Sequence, residues 1–417
     1  DPFLFLRWAK YIVENGSLMV HDAMRYVPLG YDTAGEMKLL SYLIAWFHNI
    51  LSTLSLSDSV TYSAILFPVF FFALTSIAFF LFTRKVFDKE KKIIKNIIAL
   101  LATLIFVLVP SLLPRTIAGI PEKESVAFFF MFLAFYFFLE AFTSENFKKS
   151  LIFGVLAGIM TGLMALVWGG VIFSFFTISS AILISFIIGK IKIKEFSIYS
   201  SWLFSSFILM IPFSTRYGLN NLISSLSTGF SIFVFLAIGI GFLIMKYEPK
   251  ISFRKKTKLS KELFSLVASV LIILILAVIF LGFNFIYMQF SDAVTSLIKP
   301  IETRFGLTVA ENKQPYFHDD WEGNFGPVYF NIPIYFWLFF IGSIFLFNYL
   351  IKDMNKKERW ILTISYFIFL VGLIFSKYSP NGTFNGTNFI SIFLYFLGWV
   401  IILGTFLYVY LKRDNKG

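Results

Sequence analysis

Apolar runs of roughly 18 to 25 residues recur along this chain, each long enough for a helix to cross about 30 Å of hydrocarbon. Few folds remain open to such a sequence. Only helices and closed barrels satisfy their backbone groups inside a bilayer, and the two-residue alternation of a barrel is missing. Composition agrees: 58% of residues are hydrophobic and 14% charged, against about 45–50% and about 25% in soluble domains. The chain reads as an all-α polytopic membrane protein. Apolar runs set against charged punctuation predict eleven spans, near 59–84, 93–112, 123–142, 150–168, 171–190, 196–213, 224–246, 262–288, 331–350, 360–376 and 389–411.

Charge then orients the spans. One set of loops holds 25 of the 36 Lys and Arg residues, at 84–95, 148–149, 190–194, 246–261, 352–359 and 412–416. By the positive-inside rule that set is cytoplasmic. The other face carries 11 basic against 14 acidic residues, so the formal net charge of +12 reports topology. A nucleic-acid partner would need a basic stripe on a soluble surface, and these bases sit in short turns between spans, so no nucleic acid is expected. The lipid bilayer is the expected surrounding, and the plasma membrane with an active external face the expected location. Without cysteine, disulfides and thiolate metal sites are excluded. The opening Asp1-Pro2, with no initiator Met, leads to the expectation that the chain is a fragment.

Four regions follow: a first external loop with helical segments at 1–58, about eight transmembrane helices at 59–288, a long external loop at 289–330, and about three transmembrane helices with the cytoplasmic end at 331–417. A loop as long as 289–330 is functional or disordered, and its aromatics Phe305, Tyr316, Phe317, Trp321 and Phe325 argue for order. Segment 36–54 spaces Leu39, Leu40, Leu43, Trp46, Phe47, Ile50, Leu51 and Leu54 at helical intervals, with Ser41, His48, Asn49 and Thr53 opposite. It reads as an interfacial helix, or by length alone a tilted span. Gly154, Gly158 and Gly162 predict close helix packing. No Walker loop, HExxH or nucleophile elbow is present.

Acidic residues are few, and three groups fall on the predicted outer side: Asp1, Glu122 with Glu124, and Glu311. Each has an ordinary reading. Asp1-Pro2 resembles a helix cap with Pro at the first position, Glu122 and Glu124 suit the positive end of a helix dipole, and Glu311 alone would be a solvated loop acid. On a regular helix residues two apart point in different directions, so Glu122 and Glu124 face one ion only where the segment is extended or half-capped. Should the groups converge, like charges about 4 Å apart repel by roughly 4 kcal/mol at a dielectric near 20, and a divalent cation relieves that. Oxygen donors alone favour Mg²⁺ or Mn²⁺ over zinc or copper.

Three stretches carry a family resemblance. Asp1-Pro2-Phe3 with Arg7, followed by His21-Asp22, Arg25-Tyr26 and Pro28-Leu29-Gly30, is one; Arg115, Ala118-Gly119 and Glu122-Lys123-Glu124 is the second; Thr308-Val309-Ala310-Glu311 with Asn312 and Gln314-Pro315 is the third. In order, spacing and side of the membrane they resemble the catalytic subunit of oligosaccharyltransferase in its archaeal form, over essentially the whole chain. The resemblance implies a C-type glycosyltransferase (GT-C) fold, here with about eleven transmembrane helices plus the interfacial helix. The family's first span, its last span and its C-terminal soluble domain with a Trp-Trp-Asp signature would be absent, so this piece alone is expected to be inactive or weakly active.

The activity so implied is metal-dependent transfer of an oligosaccharide from a dolichol-linked phosphate or pyrophosphate carrier to the amide of Asn in Asn-x-Ser/Thr acceptor polypeptides. Asp1, Glu122 and Glu311 would ligate Mn²⁺ or Mg²⁺ directly, with Glu124 direct or through water. Asp1 and Glu311 would also receive the two N–H bonds of the acceptor amide, whose nitrogen lone pair is otherwise tied up in resonance worth a barrier of ~18–20 kcal/mol. Lys377, Arg115 and Arg304 are the candidates for the lipid phosphate, Lys377 standing where the family often has arginine and otherwise reading as a membrane-edge lysine. The sequence departs from the family at Glu122, where Asp is usual. Asn15-Gly16-Ser17, Asn381-Gly382-Thr383 and Asn385-Gly386-Thr387 are acceptor-type sequons. The alternatives are another polyprenyl-phosphate-dependent GT-C transferase acting on lipid or Ser/Thr, and a transporter, against which stands the scarcity of ionisable groups at mid-membrane.

Overall fold

The computed structural model describes residues 2–247, 260–298, 315–324, 328–329 and 332–414. Helices occupy all eleven places where apolar runs predict spans. They are α3 (Val60–Val86), α4 (Lys92–Val107), α5 (Glu124–Thr143), α6 (Phe147–Val167), α7 (Ile172–Ile187), α8 (Ile193–Phe213), α10 (Leu226–Tyr247), α11 (Lys261–Leu281), α13 (Ile334–Leu350), α14 (Lys356–Phe375) and α15 (Phe389–Asp414). Among the described residues nine are long and apolar enough to cross a membrane, the α7 segment counted from Gly169; α4 and α13, at 16 and 17 residues, are shorter. The others are α1 (Pro2–Asn15), α2 (Leu39–Thr53), the short α9 (Leu219–Ser224) and α12 (Phe283–Ile298).

One expected span divides. The run at 262–288 breaks at Gly282, whose φ of +83° falls where a side chain is strained, so α11 stops at Leu281 and α12 starts afresh. Helix therefore continues through 289–298, part of the stretch expected as external loop.

The chain forms two compact units, Asp1–Leu108 with Leu112–Leu276, and Val109–Ser111 with Ala277–Gly417. The first is built on contacts of α5 with α3 and of α6 with α5 and α8. Gly154, Gly158 and Gly162 form the α6 seam against α8. Added methyls at Gly154 and Gly162 would lie 3.1 Å from the Ile198 carbonyl oxygen and 3.2 Å from that of Ser206, and at Gly158 one would collide with the Trp202 carbonyl. Small residues let the backbones meet where apolar association alone drives nothing in lipid. Polar groups buried there are satisfied pairwise. Trp202 Nε1 donates to Thr161 Oγ1 at 3.0 Å, and Ser206 Oγ to the Gly158 carbonyl at 3.1 Å. The Tyr199 hydroxyl donates to the Ser231 carbonyl at 2.9 Å and meets Ser179 Oγ at 2.8 Å. Glu140, within the span predicted at 123–142, is paired with Lys85 at 2.9 Å.

The second unit is held by α14 against α15, where Gly372 lies beneath the Leu394 carbonyl and Ser365 Oγ meets Thr405 Oγ1 at 2.8 Å.

Helix α2 presents a mixed face to the protein. It buries Leu40, Ser41, Ile44, Ala45 and His48, and exposes Trp46, Asn49, Ile50, Thr53 and Leu54. His48 Nδ1 reaches Ser63 Oγ at 3.0 Å. Fifteen residues extend about 22 Å, too short for the hydrocarbon, which fits a helix in the interface.

The glycine seam is testable. Gly158→Ala should destabilise the first unit by roughly 1–3 kcal/mol through forced separation of α6 and α8. Gly404→Ala, at a position with no neighbour within 4 Å, should leave the unfolding midpoint unchanged or raised. Equal midpoints for Gly158→Ala and the parent would show that the seam is not tight.

Candidate functional site

The segment between α4 and α5 is shaped by its glycine and proline. Leu113–Arg115 makes one 3₁₀ turn, and Gly119, at φ +89°, donates its N–H to the Ile65 carbonyl at 3.0 Å, tying the segment to the start of α3. Pro121 and Glu122 remain outside the helix, and α5 begins at Glu124. Ser125 Oγ donates to the Glu122 carbonyl at 2.7 Å. Because the helix starts between them, Glu122 and Glu124 escape the divergence that helical spacing imposes on i and i+2. Both carboxylates face Arg115: its Nη1 lies 3.8 Å from Glu122 Oε1 and 3.7 Å from Glu124 Oε1. The acids are largely shielded, with side chains 16% and 11% exposed, while Arg115 is 42% exposed. Shielded carboxylates need a cation, and the Arg115 guanidinium lies within ion-pair distance of both.

Helix α1 is brought to the same place. Lys123 Nζ stands 5.5 Å from the centre of the Phe5 ring, in the first turns of α1. The segment after α1 is locked by a second ion pair. Asp22 is buried, receives both Arg7 Nη atoms, and accepts from Trp8 Nε1 at 2.9 Å and the Met24 N–H at 3.1 Å. The Arg7 bonds, followed by those of Trp8 and Met24, pull its pKa down to about 2 against the burial that opposes them. A short antiparallel pair, His21–Asp22 with Tyr31–Asp32, closes the loop. Arg25 stacks 4.1 Å over Tyr31 and bonds Glu36 at 3.1 Å, and the Tyr31 hydroxyl donates to Glu36 at 2.6 Å. Burial works against the Glu36 anion, yet Tyr31 and Arg25, with Lys123 nearby, hold its pKa below the usual value. Burial and Glu36 push Tyr31 up to about 12.

Of the residues singled out from sequence, the structure joins Arg115, Glu122 and Glu124. Asp1, Arg304 and Glu311 lie outside the described residues. Among the described residues no three or more of His, Asp and Glu gather as a metal-binding group. Lys377 lies in the second unit, bridged to Asn385, with Nζ 5.4 Å over the Tyr395 ring, and burial lowers its pKa. Of the sequon asparagines, Asn15 donates to the Tyr11 carbonyl at 3.0 Å and Asn385 Oδ1 accepts from Thr387 and Asn388, whereas Asn381 is exposed. Sequence reasoning did not identify the scaffold of Asp22 and Glu36. Their partners are 15 and 11 residues away, and no local pattern announces them.

The family model "Oligosaccharyl transferase STT3, N-terminal" matches residues 1–301. The dolichyl-diphosphooligosaccharide–protein glycosyltransferase subunit STT3 of Saccharomyces cerevisiae is 25% identical over 207 residues, 48% of this chain and 27% of the yeast protein. The fold is similar to the archaeal oligosaccharyltransferase AglB from Archaeoglobus fulgidus in complex with an inhibitory peptide and a dolichol-phosphate. That likeness has TM-score 0.62 and 18% identity, and covers 100% of this chain and 48% of the other. It is similar too to the A. fulgidus oligosaccharyltransferase tethered with an acceptor peptide containing the NVT sequon, with TM-score 0.57 and 18% identity over 99% of this chain and 51% of that one. The chain thus spans about a quarter of its yeast relative and about half of the solved chains.

Asp22 gives the site's pH dependence. Its folded pKa, near 2, is below the ordinary 3.8, so its contribution is complete above about 4 and is lost as pH falls through 2. Asp22→Ala should loosen residues 17–36 at neutral pH by about 3 kcal/mol, read as faster proteolysis of that loop with the spans intact. An unchanged cleavage rate would contradict this role.

Proposed function

This chain belongs to the oligosaccharyl transferase STT3 family, and from that premise we propose that it forms the membrane part of an enzyme moving an oligosaccharide from a dolichol-linked phosphate or pyrophosphate to Asn in Asn-x-Ser/Thr polypeptides. The relatives support the substrate classes: one is named for a dolichyl-diphosphooligosaccharide donor, one holds dolichol-phosphate, and one an NVT acceptor peptide. The reaction faces the exterior of the plasma membrane in this reading, as the loop charges favour.

The observation that carries the reading is the convergence of Glu122 and Glu124 on one cation beside α1. Two shielded carboxylates that face the same point suit a hard divalent ion, and Asp1 and Glu311 would complete an all-oxygen set. Bound there, Mn²⁺ or Mg²⁺ would neutralise charge developing on the departing lipid phosphate. The protein's share is positioning. Asp1 and Glu311 accept the acceptor amide's two hydrogens and turn its nitrogen lone pair out of conjugation. Arg115, Arg304 and Lys377 supply positive charge for the phosphate, Lys377 as a point charge without a fork. The nitrogen attacks C1 of the sugar, the C1–oxygen bond breaks, the electron pair leaves with the phosphate, and the proton that the nitrogen sheds passes to a carboxylate holding the amide or to the departing phosphate.

Isothermal titration of the parent with Mn²⁺ should show one site, with affinity falling roughly tenfold or more in Asp1→Ala, Glu122→Ala and Glu311→Ala. Binding as tight in Asp1→Ala and Glu311→Ala as in the parent would refute the shared metal site.

A further inference from the structure

The three acceptor-type sequons differ in what the fold does with them, and one is left open. Helix α14 starts from the basic loop 352–359, α15 ends at the basic stretch 412–416, and both helices are long and apolar enough to cross a membrane. Basic ends on one side place the connection between the helices, 376–388, on the other. That connection holds a single charged residue, Lys377, and two of the sequons.

Its base is fixed. The Tyr378 and Ser379 N–H groups donate to the Phe384 carbonyl at 2.8 and 3.3 Å, and Lys377 pairs with Asn385 in an antiparallel bridge. The Thr383 carbonyl accepts from Asn388 Nδ2 and, at 3.3 Å, from Ser391 Oγ. Beyond this base projects the tip, residues 380–383, turned by a bond from the Gly382 N–H to the Ser379 carbonyl at 3.2 Å. Asn381, Gly382 and Thr383 are all exposed, and among the described residues nothing bonds the Asn381 amide or the Thr383 hydroxyl. Exposure is what a modification requires, and Gly382 gives the tip the backbone freedom to open into an extended acceptor.

The fold takes up the other two sequons. Asn385 is half-buried and Gly386 buried. Asn385 Oδ1 accepts from the Thr387 N–H at 3.0 Å, the Thr387 hydroxyl at 3.2 Å and the Asn388 N–H at 2.9 Å, so the amide and the hydroxyl that mark this sequon are bonded to each other. The Asn385 carbonyl in turn accepts from the Tyr316 hydroxyl at 3.2 Å. Asn15 is the last residue of α1, where its Nδ2 donates to the Tyr11 carbonyl at 3.0 Å and the Gly16 N–H to the Ile12 carbonyl at 2.8 Å. A nitrogen held against a helix end is not presented for reaction.

We propose that Asn381 is a glycosylation site of this chain, modified after folding with an oligosaccharide from a dolichol-linked carrier, while Asn15 and Asn385 stay bare. Asn381 Nδ2 bonds to C1 of the sugar, the C1–oxygen bond breaks, the electron pair leaves with the lipid phosphate, and the proton shed by the nitrogen passes to a carboxylate of the transferase or to that phosphate. The donor and the outward face of the loop rest on the reading proposed above. A hydrophilic glycan at this tip holds the connection outside the bilayer.

Mass spectrometry of intact glycopeptides from the protein purified from its native membranes and cut with chymotrypsin tests the site. Cleavage after Tyr378, Phe384 and Phe389 puts Asn381 and Asn385 on separate peptides, and cleavage after Tyr11 and Leu18 isolates Asn15. The Asn381 peptide should carry an oligosaccharide and the other two none. Expressed in the same host, Asn381→Gln should abolish the glycan, Thr383→Ala should lower occupancy roughly tenfold or more, and Thr383→Ser should keep most of it. A bare Asn381 peptide in the parent overturns the proposal, as does its conversion to Asp alone, which Asn-Gly undergoes spontaneously, or a glycan on Asn385 or Asn15 instead. Transfer to a synthetic Asn-x-Thr peptide by the same preparation separates the two readings: active transfer with a bare Asn381 refutes this one alone, and an occupied Asn381 without transfer refutes the enzyme reading alone.

Discussion

A carboxylate at the edge of a hydrocarbon slab must find a cation, and the arrangement of this chain's first unit follows from how that need is met. Three arginines meet it in three ways. Arg7 grips Asp22 with both Nη atoms, Arg25 bonds Glu36 while lying on Tyr31, and Arg115 is shared between Glu122 and Glu124. The first two pairs are short and saturated, which makes them scaffold. The third is long, partly exposed and faces two acids.

Much of the fold is legible in the residue string because the bilayer makes a local demand. A helix must be apolar for its whole crossing, so Val60–Val86 or Leu226–Tyr247 announces itself without reference to anything else in the chain. Gly282 shows where that reasoning stops short: an apolar count reads through a residue that the backbone uses to break the run. Helix α2 shows a second limit. An amphipathic pattern implies a purely apolar inward face only when the outside is water, and here the polar Ser41 and His48 are buried beside Leu40, Ile44 and Ala45 while Trp46 and Ile50 are exposed.

The candidate site is less legible for a different reason. Its residue types and their spacing are visible along the chain, but their convergence depends on where a helix starts to within one residue. Glu122 and Glu124 face one guanidinium because α5 begins at Glu124; a start two residues earlier would place them on diverging helical positions. Asp22 lies further from reach, since its meaning depends on Arg7 and Trp8 from the preceding helix.

Helix α2 packs on α1 and α3 while presenting Trp46, Ile50 and Leu54 outward, so the surrounding lipid is part of what seats it. Lateral pressure and headgroup spacing thereby become structural variables for the neighbouring α1, whose first turns lie beside Lys123. A change in leaflet composition would reach the acid pair through this helix without any alteration of the protein itself.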